Sequence, residues 1–272
     1  MDLQYGSPLR GSTRREWEAF LNRAGLDADP DVEFTVLVWE DDEIVATGSR
    51  HGNILKCIAV DETRQGEGLT ATVITELHKD AFARNIRHLF LYTKPKNRVL
   101  FESLFFYPIS GTSDVLLMES KRNGVREFVS GLSPQRREGI IGSAVMNCNP
   151  FTLGHRHLIE TAAAECDQVY IFVLSEDRSR FPAADRIRLV QEGVADLPNV
   201  TVLPTGPYLI SAATFPDYFL QNKSQKTDIQ CRLDIQIFAE HFAPAFGITR
   251  RYVGQEPLSA VTDRYNRALK TP

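Results

Sequence analysis

Two α/β domains joined by a short connector are what this sequence predicts, on three observations. The stretch Ser130-Gly131-Leu132-Ser133-Pro134-Gln135-Arg136-Arg137-Glu138-Gly139 is polar, carries Pro and Gly, and has no apolar period, so it reads as a break. Before it the order is helix, strands, helix, strand, and two of the strands flank Asp41-Asp42, a hairpin signal. After it, apolar strand runs alternate with helical periods, the pattern of a parallel sheet with helices on both faces. The expected organisation is an α+β domain over 1–129, a linker over 130–138 and an α/β domain over 139–272.

In the first domain, Thr13-x-x-Glu16 has the form of a capping box, opening a helix with Trp17, Phe20, Leu21 and Ala24 on one side. Strands are expected at Phe34–Trp39, Glu43–Thr47 and Ile54–Val60. Gln65-Gly66-Glu67-Gly68-Leu69-Thr70 then leads into a helix ending near Ala83, and His88–Thr93 returns as a strand. In the second domain, Ile140–Val145 is a buried strand and His157–Ala164 is helical, with Leu158, Ile159 and Ala162 on one face. Gln168–Leu174 and Asn199–Leu203 are further strands, with a helix at Ala183–Ala195 between them. A helix over Asp228–His241 buries Ile229, Leu233, Ile237 and Phe238, and Arg250–Val253 leads to Gly254. No internal repeat or low-complexity tract is visible.

The junction between the first strand and helix of the second domain carries the chemistry. Asn149-Pro150-Phe151-Thr152-Leu153-Gly154-His155 sets Thr152 and His155 where a helix begins, and a helix start offers unpaired N–H groups and a positive dipole end to phosphate. Gly154 allows close backbone approach, and Thr152 and His155 add side-chain donors. His157, two residues on, turns away from His155 and is expected to be structural. In an alternating α/β sheet, ligands bind beyond the carboxyl ends of the strands, where this turn and Gly254-Gln255-Glu256 both lie.

Composition narrows the function classes. A net charge of −4 gives no broad basic footprint, which argues against nucleic acid as a partner. No apolar run reaches membrane-span length, and Met1-Asp2-Leu3-Gln4 does not read as a signal peptide, so a cytoplasmic protein without membrane contact is expected. Cys57, Cys148, Cys166 and Cys231 are scattered, with no Cys-x-x-Cys pair, and fit reduced buried thiols rather than a disulfide framework or zinc site. No metal ligand set is expected among the side chains. No Gly-Lys dipeptide exists, which excludes a Walker-type loop.

Thr152-x-Gly154-His155 after a first strand resembles the signature of the nucleotidyltransferase superfamily, whose members attack the α-phosphate of a nucleotide and release pyrophosphate. The longer phrase Asn147–Arg156 resembles the citrate lyase ligase family, as do Glu176–Pro182, Ile210–Pro216 and Tyr252–Pro257; together these matches run from about Asn53 to Asn266. In the first domain, Gln65-Gly66-x-Gly68 resembles the coenzyme A loop of GNAT acetyltransferases. That loop departs from the GNAT pattern at Thr70, and the later Gly-Phe landmark appears as Phe105-Phe106.

The resemblance implies a GNAT-like first domain and a Rossmann-like nucleotidyltransferase second domain. It implies an acid–thiol ligase that uses ATP and Mg²⁺ to join acetate to a thiol, through acetyl-adenylate, releasing pyrophosphate and AMP. The thiol belongs to the phosphoribosyl-dephospho-coenzyme A arm of citrate lyase's acyl carrier subunit. His155 and Thr152 are the implied catalytic pair, with Asn149, Gly154, Arg178, Arg251, Gly254 and Glu256 about the ATP, and Gln65, Gly66 and Gly68 about the arm. Mg²⁺ would bridge phosphate oxygens, and few dedicated protein ligands are expected for it. Two alternatives stay open: an adenylyltransferase of the pantetheine-phosphate type, and a truncated chain that binds nucleotide without turnover. The superfamily carries a further phosphate element, Ile-Ser-x-Ser/Thr-x-x-Arg, near its C-terminal end. This chain reaches Pro272 without it, and Ile210-Ser211-Ala212-Ala213-Thr214 imitates only its start, so a C-terminally truncated ligase with weak turnover is expected. Oligomeric state and tolerance for acids larger than acetate are not legible in the sequence.

Overall fold

The computed structural model describes residues 1–132, 138–176, 180–209, 215, 218–220 and 225–254. The chain forms two compact units, one of Met1–Arg122 with Pro216–Lys226, the other of Asn123–Phe215 with Thr227–Pro272. The division does not follow a single linear cut. Helix α4 (Gly124–Leu132) belongs to the second unit, where Phe128 meets Tyr208 with ring centroids 5.2 Å apart, so Ser130, Gly131 and Leu132, expected in the connector, close a helix. The connector positions 133–137 lie outside the described residues.

The first unit is an α+β domain. Its seven-stranded sheet has the order β1 (Asp2–Gly6), β2 (Phe34–Glu40), β3 (Glu43–His51), β4 (Ile54–Val60), β5 (Phe90–Thr93), β7 (Leu116–Glu119), β6 (Tyr107–Gly111). Asp41 and Asp42 both adopt positive φ, 48° and 64°, as a two-residue hairpin turn of matching twist requires. Helix α2 (Leu69–Ala83) buries Val73, Ile74, Leu77 and Ala81 against the sheet; a Cβ at Gly48 would stand 2.4 Å from Val73 Cγ1, so this glycine lets the helix close. Helix α1 (Gly11–Arg23) buries Trp17, Phe20 and Leu21, and Trp17 Nε1 donates to Thr47 Oγ1 at 3.1 Å. The capping box expected at Thr13 is not formed: the helix begins at Gly11 after an extended Arg10 without a side-chain cap. Leu9 is buried against Gly6, which fixes the chain's entry before Thr13 is reached.

Strands β4 and β5 are parallel and pair only at Ile54–Phe90 and Leu55–Leu91, after which they part and open a gap in the sheet. A bulge on β3–β4 between Thr47 and Ser49 lies opposite the same stretch, and Cys57 there has φ 51°. Helix α3 (Arg98–Ser103) follows β5.

The second unit is a Rossmann-like α/β domain of the nucleotidyltransferase type. Its sheet is wholly parallel, in the order β10 (Val200–Pro204), β9 (Gln168–Val173), β8 (Ile141–Met146), β11 (Arg250–Arg251). Helices α5 (Leu153–Glu165) and α6 (Ala183–Gly193) cover one face, closing on Ala144, Met146, Val169, Ile171 and Val173. The other face carries Tyr170 and Phe172, packed at 4.9–5.4 Å between ring centroids on Phe242 and Phe246. Helix α7 (Lys226–Ile237) continues into a π-helical turn at Phe238–Phe242, which supplies Phe242, and helix α8 (Ala243–Phe246) supplies Phe246. The helix thus runs beyond the expected His241. Pro244 has no N–H for the carbonyl four residues back, and the wider π turn absorbs that loss.

Candidate functional site

The chain leaves β8 toward β9 and β10 on one side and returns as β11 on the other. The carboxyl ends of β8 and β11 therefore flank the point where strand order reverses, the crevice in which such sheets take ligands. Thr152 and His155 stand there, at the start of α5. The first backbone bond of that helix runs from Arg156 N–H to Thr152 O (3.0 Å), which leaves the N–H groups of Leu153 and Gly154 without intrahelical acceptors. A Cβ on Gly154 would have only Thr152 Oγ1 near it, at 3.8 Å, so the space over these donors is open. Gly154 does not have a positive φ; its missing side chain serves approach rather than backbone strain. That cradle fits a phosphate group.

His155 is held by its own turn. The Thr152 N–H donates to His155 Nδ1 at 3.1 Å, and Thr152 Oγ1 lies 2.8 Å from the same nitrogen. A nitrogen that accepts an N–H carries its lone pair, so the neutral ring has its proton on Nε2, which is then a donor. Phe151 stacks on the ring, with centroids 6.0 Å apart and planes inclined by 21°.

A buried arginine absent from the sequence-based expectations ties the loops together. Arg186, fully buried on α6, donates from Nη1 to Asn147 O (2.9 Å) and Asn147 Oδ1 (2.7 Å), from Nε to Phe181 O (3.0 Å), and from Nη2 to Glu176 O. Asn149 Oδ1 in turn accepts from Phe181 N–H at 3.1 Å. The turn after β8 and the loop after β9 are thereby fixed to each other. The signal for Arg186 was weak in the sequence because its contacts use one asparagine and backbone carbonyls, which leave no side-chain pattern. Arg156 fixes the other flank through Glu160 (2.8 Å) and Asp196 (2.6 Å).

Cys148, inside the motif, is 1% exposed with φ 51°. Burial pushes its thiol up to about 12, against a smaller opposite effect of Arg186, so it stays protonated and inert at neutral pH. All four cysteines are buried, and none is joined in a disulfide.

Gly254 lies beyond β11, its Cβ position 3.8 Å from Leu158 Cδ2 on α5, so it borders the crevice. Arg251 does not join Thr152 and His155: its guanidinium lies 4.1 Å from the Phe238 ring centre. Its neighbours Arg250 and Tyr252 reach Glu165 of α5, at 3.6 Å and 2.7 Å, on the opposite sheet face. Arg178 and Glu256 lie outside the described residues, as do Ile210–Thr214. Among the described residues no three His, Cys, Asp or Glu side chains form a metal set, and no helix is long and apolar enough to cross a membrane.

The first unit holds a cavity of about 560 Å³ where β4 and β5 part. Gln65, Gly66 and Gly68 line it, with Ile58, Ala59, Val60, Tyr92, Thr93, Lys94 and Lys96. Gly68 caps α2 in the left-handed region at φ 82°, a conformation few other residues adopt, and so aims the helix start at the cavity.

Comparison with known proteins gives consistent matches. Residues 141–272 match the family model described as the citrate lyase ligase C-terminal domain. The [citrate [pro-3S]-lyase] ligase of Klebsiella pneumoniae is 42% identical over 266 residues, 97% of this chain and 78% of that protein. That of Escherichia coli K12 is 42% identical over 253 residues, covering 92% and 72%. Phosphopantetheine adenylyltransferase of Mannheimia succiniciproducens is 42% identical over 57 residues, 20% of this chain and 36% of that protein.

Proposed function

This chain belongs to the citrate lyase ligase family, and from that premise we propose that it joins acetate to the thiol of a dephospho-coenzyme A-type arm on citrate lyase's acyl carrier subunit, at the expense of ATP. The observation that carries the proposal is the phosphate cradle at the start of α5, with His155 fixed to donate from Nε2. ATP lies with its phosphates over the Leu153 and Gly154 N–H groups. An acetate oxygen attacks the α-phosphorus and pyrophosphate leaves; His155 and Thr152 stabilise the charge that builds on the phosphates. The thiol then attacks the acetyl carbonyl, forming the C–S bond and releasing AMP, while the thiol proton passes to solvent or buffer. Mg²⁺ would be held chiefly by the nucleotide's own phosphate oxygens, where it would neutralise their charge. Gln65, Gly66 and Gly68 hold the arm's pyrophosphate in the first unit, and Gly254 borders the nucleotide. Arg178 and Glu256 remain proposed nucleotide partners on resemblance. Reduced cysteines and the use of ATP fit a cytoplasmic setting.

ATP–pyrophosphate exchange tests the reading. Exchange should require acetate, and His155→Ala should lower it by about a hundredfold or more, the usual loss on removing a preorganised charge-stabilising donor. Exchange independent of acetate but driven by 4′-phosphopantetheine would replace the ligase with an adenylyltransferase. Near-normal exchange by His155→Ala would remove the assigned role.

A further inference from the structure

Strands β4 and β5 run parallel, so the segments that follow them arrive at one end of the sheet. After β4 come the glycine loop and the start of α2; after β5 comes a tight helical turn at Pro95–Asn97, and both line the first unit's cavity. The first bond of α2 runs from Thr72 N–H to Gly68 O (3.1 Å), so the N–H groups of Leu69, Thr70 and Ala71 have no intrahelical acceptor. On the β5 side the proline holds Lys94 extended. Asn97 donates from its backbone to Lys94 O and from Nδ2 to Thr93 Oγ1, both at 2.9 Å, so the turn that carries Lys94 and Lys96 is fixed. Tyr218, from the crossover between β10 and α7, closes the gap between the strands. Its hydroxyl donates to Tyr92 O on β5 (3.4 Å), and its carbonyl accepts from Asp27 N–H (2.8 Å).

The charge of this lining is one-sided. The chain holds 35 acidic residues against 31 Lys and Arg. Yet among the described residues the cavity is lined by Arg64, Lys94 and Lys96 and by no carboxylate. Arg64 is already neutralised, by Glu40 and by Glu67 at 2.8 Å. Neither lysine ammonium has an ion-pair or hydrogen-bond partner among the described residues. Two uncompensated cations on a fixed turn, in one cavity with open backbone donors, repel each other until an anion joins them. We infer that Lys94 and Lys96 form an anion seat that binds the diphosphate of a coenzyme A-type arm together with the start of α2. The inference rests on the proposed reading of this cavity as the arm site, and adds the residues that carry its charge. A diphosphate ester matches the seat because it brings two negative charges, one for each ammonium, and leaves oxygens for the backbone donors. The uncharged part of the lining, with Ile58, Val60, Leu100 and Leu104, suits the neutral length of the arm.

Calorimetric titration of the full chain with dephospho-coenzyme A at low and high salt tests this, with ADP and pantetheine as the two halves of the ligand. The wild type should bind dephospho-coenzyme A, and more weakly as salt screens the lysines. Lys94→Gln with Lys96→Gln should lower that affinity about tenfold or more, the scale of a lost charged contact, and flatten the salt response. Lys94→Arg with Lys96→Arg keeps both charges and should stay within about threefold of the wild type. Pantetheine, which has no phosphate, should show no difference between the three chains. An unchanged affinity and salt response in the glutamine pair, a loss as large in the arginine pair, or an equal loss for pantetheine would overturn the seat while leaving the arm site standing. A lysine-dependent loss confined to ADP would give the seat to a free nucleotide and overturn the inference. No binding of dephospho-coenzyme A by the wild type at millimolar ligand would overturn the arm site, and this inference with it.

Discussion

At Gly154 a methyl group would meet nothing closer than Thr152 Oγ1 at 3.8 Å, yet it would project over the open donors of α5. Gly154→Ala should therefore leave stability unchanged or raise it by about 0.5–1 kcal/mol, as glycine removal from a helix does. ATP affinity should fall about tenfold or more, the effect of one displaced phosphate contact. Thermal melting and ATP titration together check this; unaltered ATP binding would sink the cradle. Cys148 links stability to pH instead. Its thiol titrates at about 12 when folded, above its ordinary 9.0. A raised folded value means that stability is complete below the unfolded value and is lost as pH rises through the folded one, so the window runs upward from 9. The loss approaches about 1.4 kcal/mol per pH unit for this thiol. Urea midpoints at pH 8 and pH 10.5 should diverge less in Cys148→Ala than in the wild type, and equal divergence would refute it. Of these residues, Thr152, Gly154 and His155 were legible because strand, turn and helix are local. The inertness of Cys148 was legible only as a tendency of unbridged cysteines to be buried, and the packing that enforces it comes from α6.

Helix α6 works as a bracket through Arg186. Replacement by Met would leave the Asn147, Phe181 and Glu176 carbonyls without their charged donor, each such bond being worth about 1.5–3 kcal/mol. Arg186→Met should lower unfolding stability by about 3 kcal/mol or more and weaken ATP binding further than that loss explains. Arg186→Lys, with one ammonium and no fork, should recover only a part. Denaturant curves with ATP titrations at a temperature where each variant is folded separate the two effects. A variant with wild-type stability would show that the bracket is decorative. The parallel sheet of the second unit was legible because each strand is an apolar run and each helix a separate period. Strand β1 escaped notice because it is an exposed edge with no alternation, and β6 because Pro108 and Gly111 interrupt it. The early start of α1 was hidden because Leu9, not the Thr13 box, sets it.

Both tryptophans, Trp17 and Trp39, belong to the first unit, so indole fluorescence reports that unit alone. At a hundredfold excess over its dissociation constant, dephospho-coenzyme A should stabilise the tryptophan-detected transition by about 2.7 kcal/mol. Chemical denaturation followed at the indole band checks this, and no shift would count against an arm site in the first unit. The cavity was half legible: the glycines of its loop are a local pattern, whereas the parting of β4 from β5 is a matter of pairing, and Tyr218 arrives from more than a hundred residues downstream. That last contact reaches into biosynthesis. A ribosome makes about 5–20 residues per second and domains generally fold in order of emergence. Here the unit that emerges first cannot receive its closing tyrosine until most of the second has been translated. The nascent N-terminal sheet must wait, with the seam between two of its strands unfilled, and a chaperone or a slow stretch of translation at that stage would act on this seam.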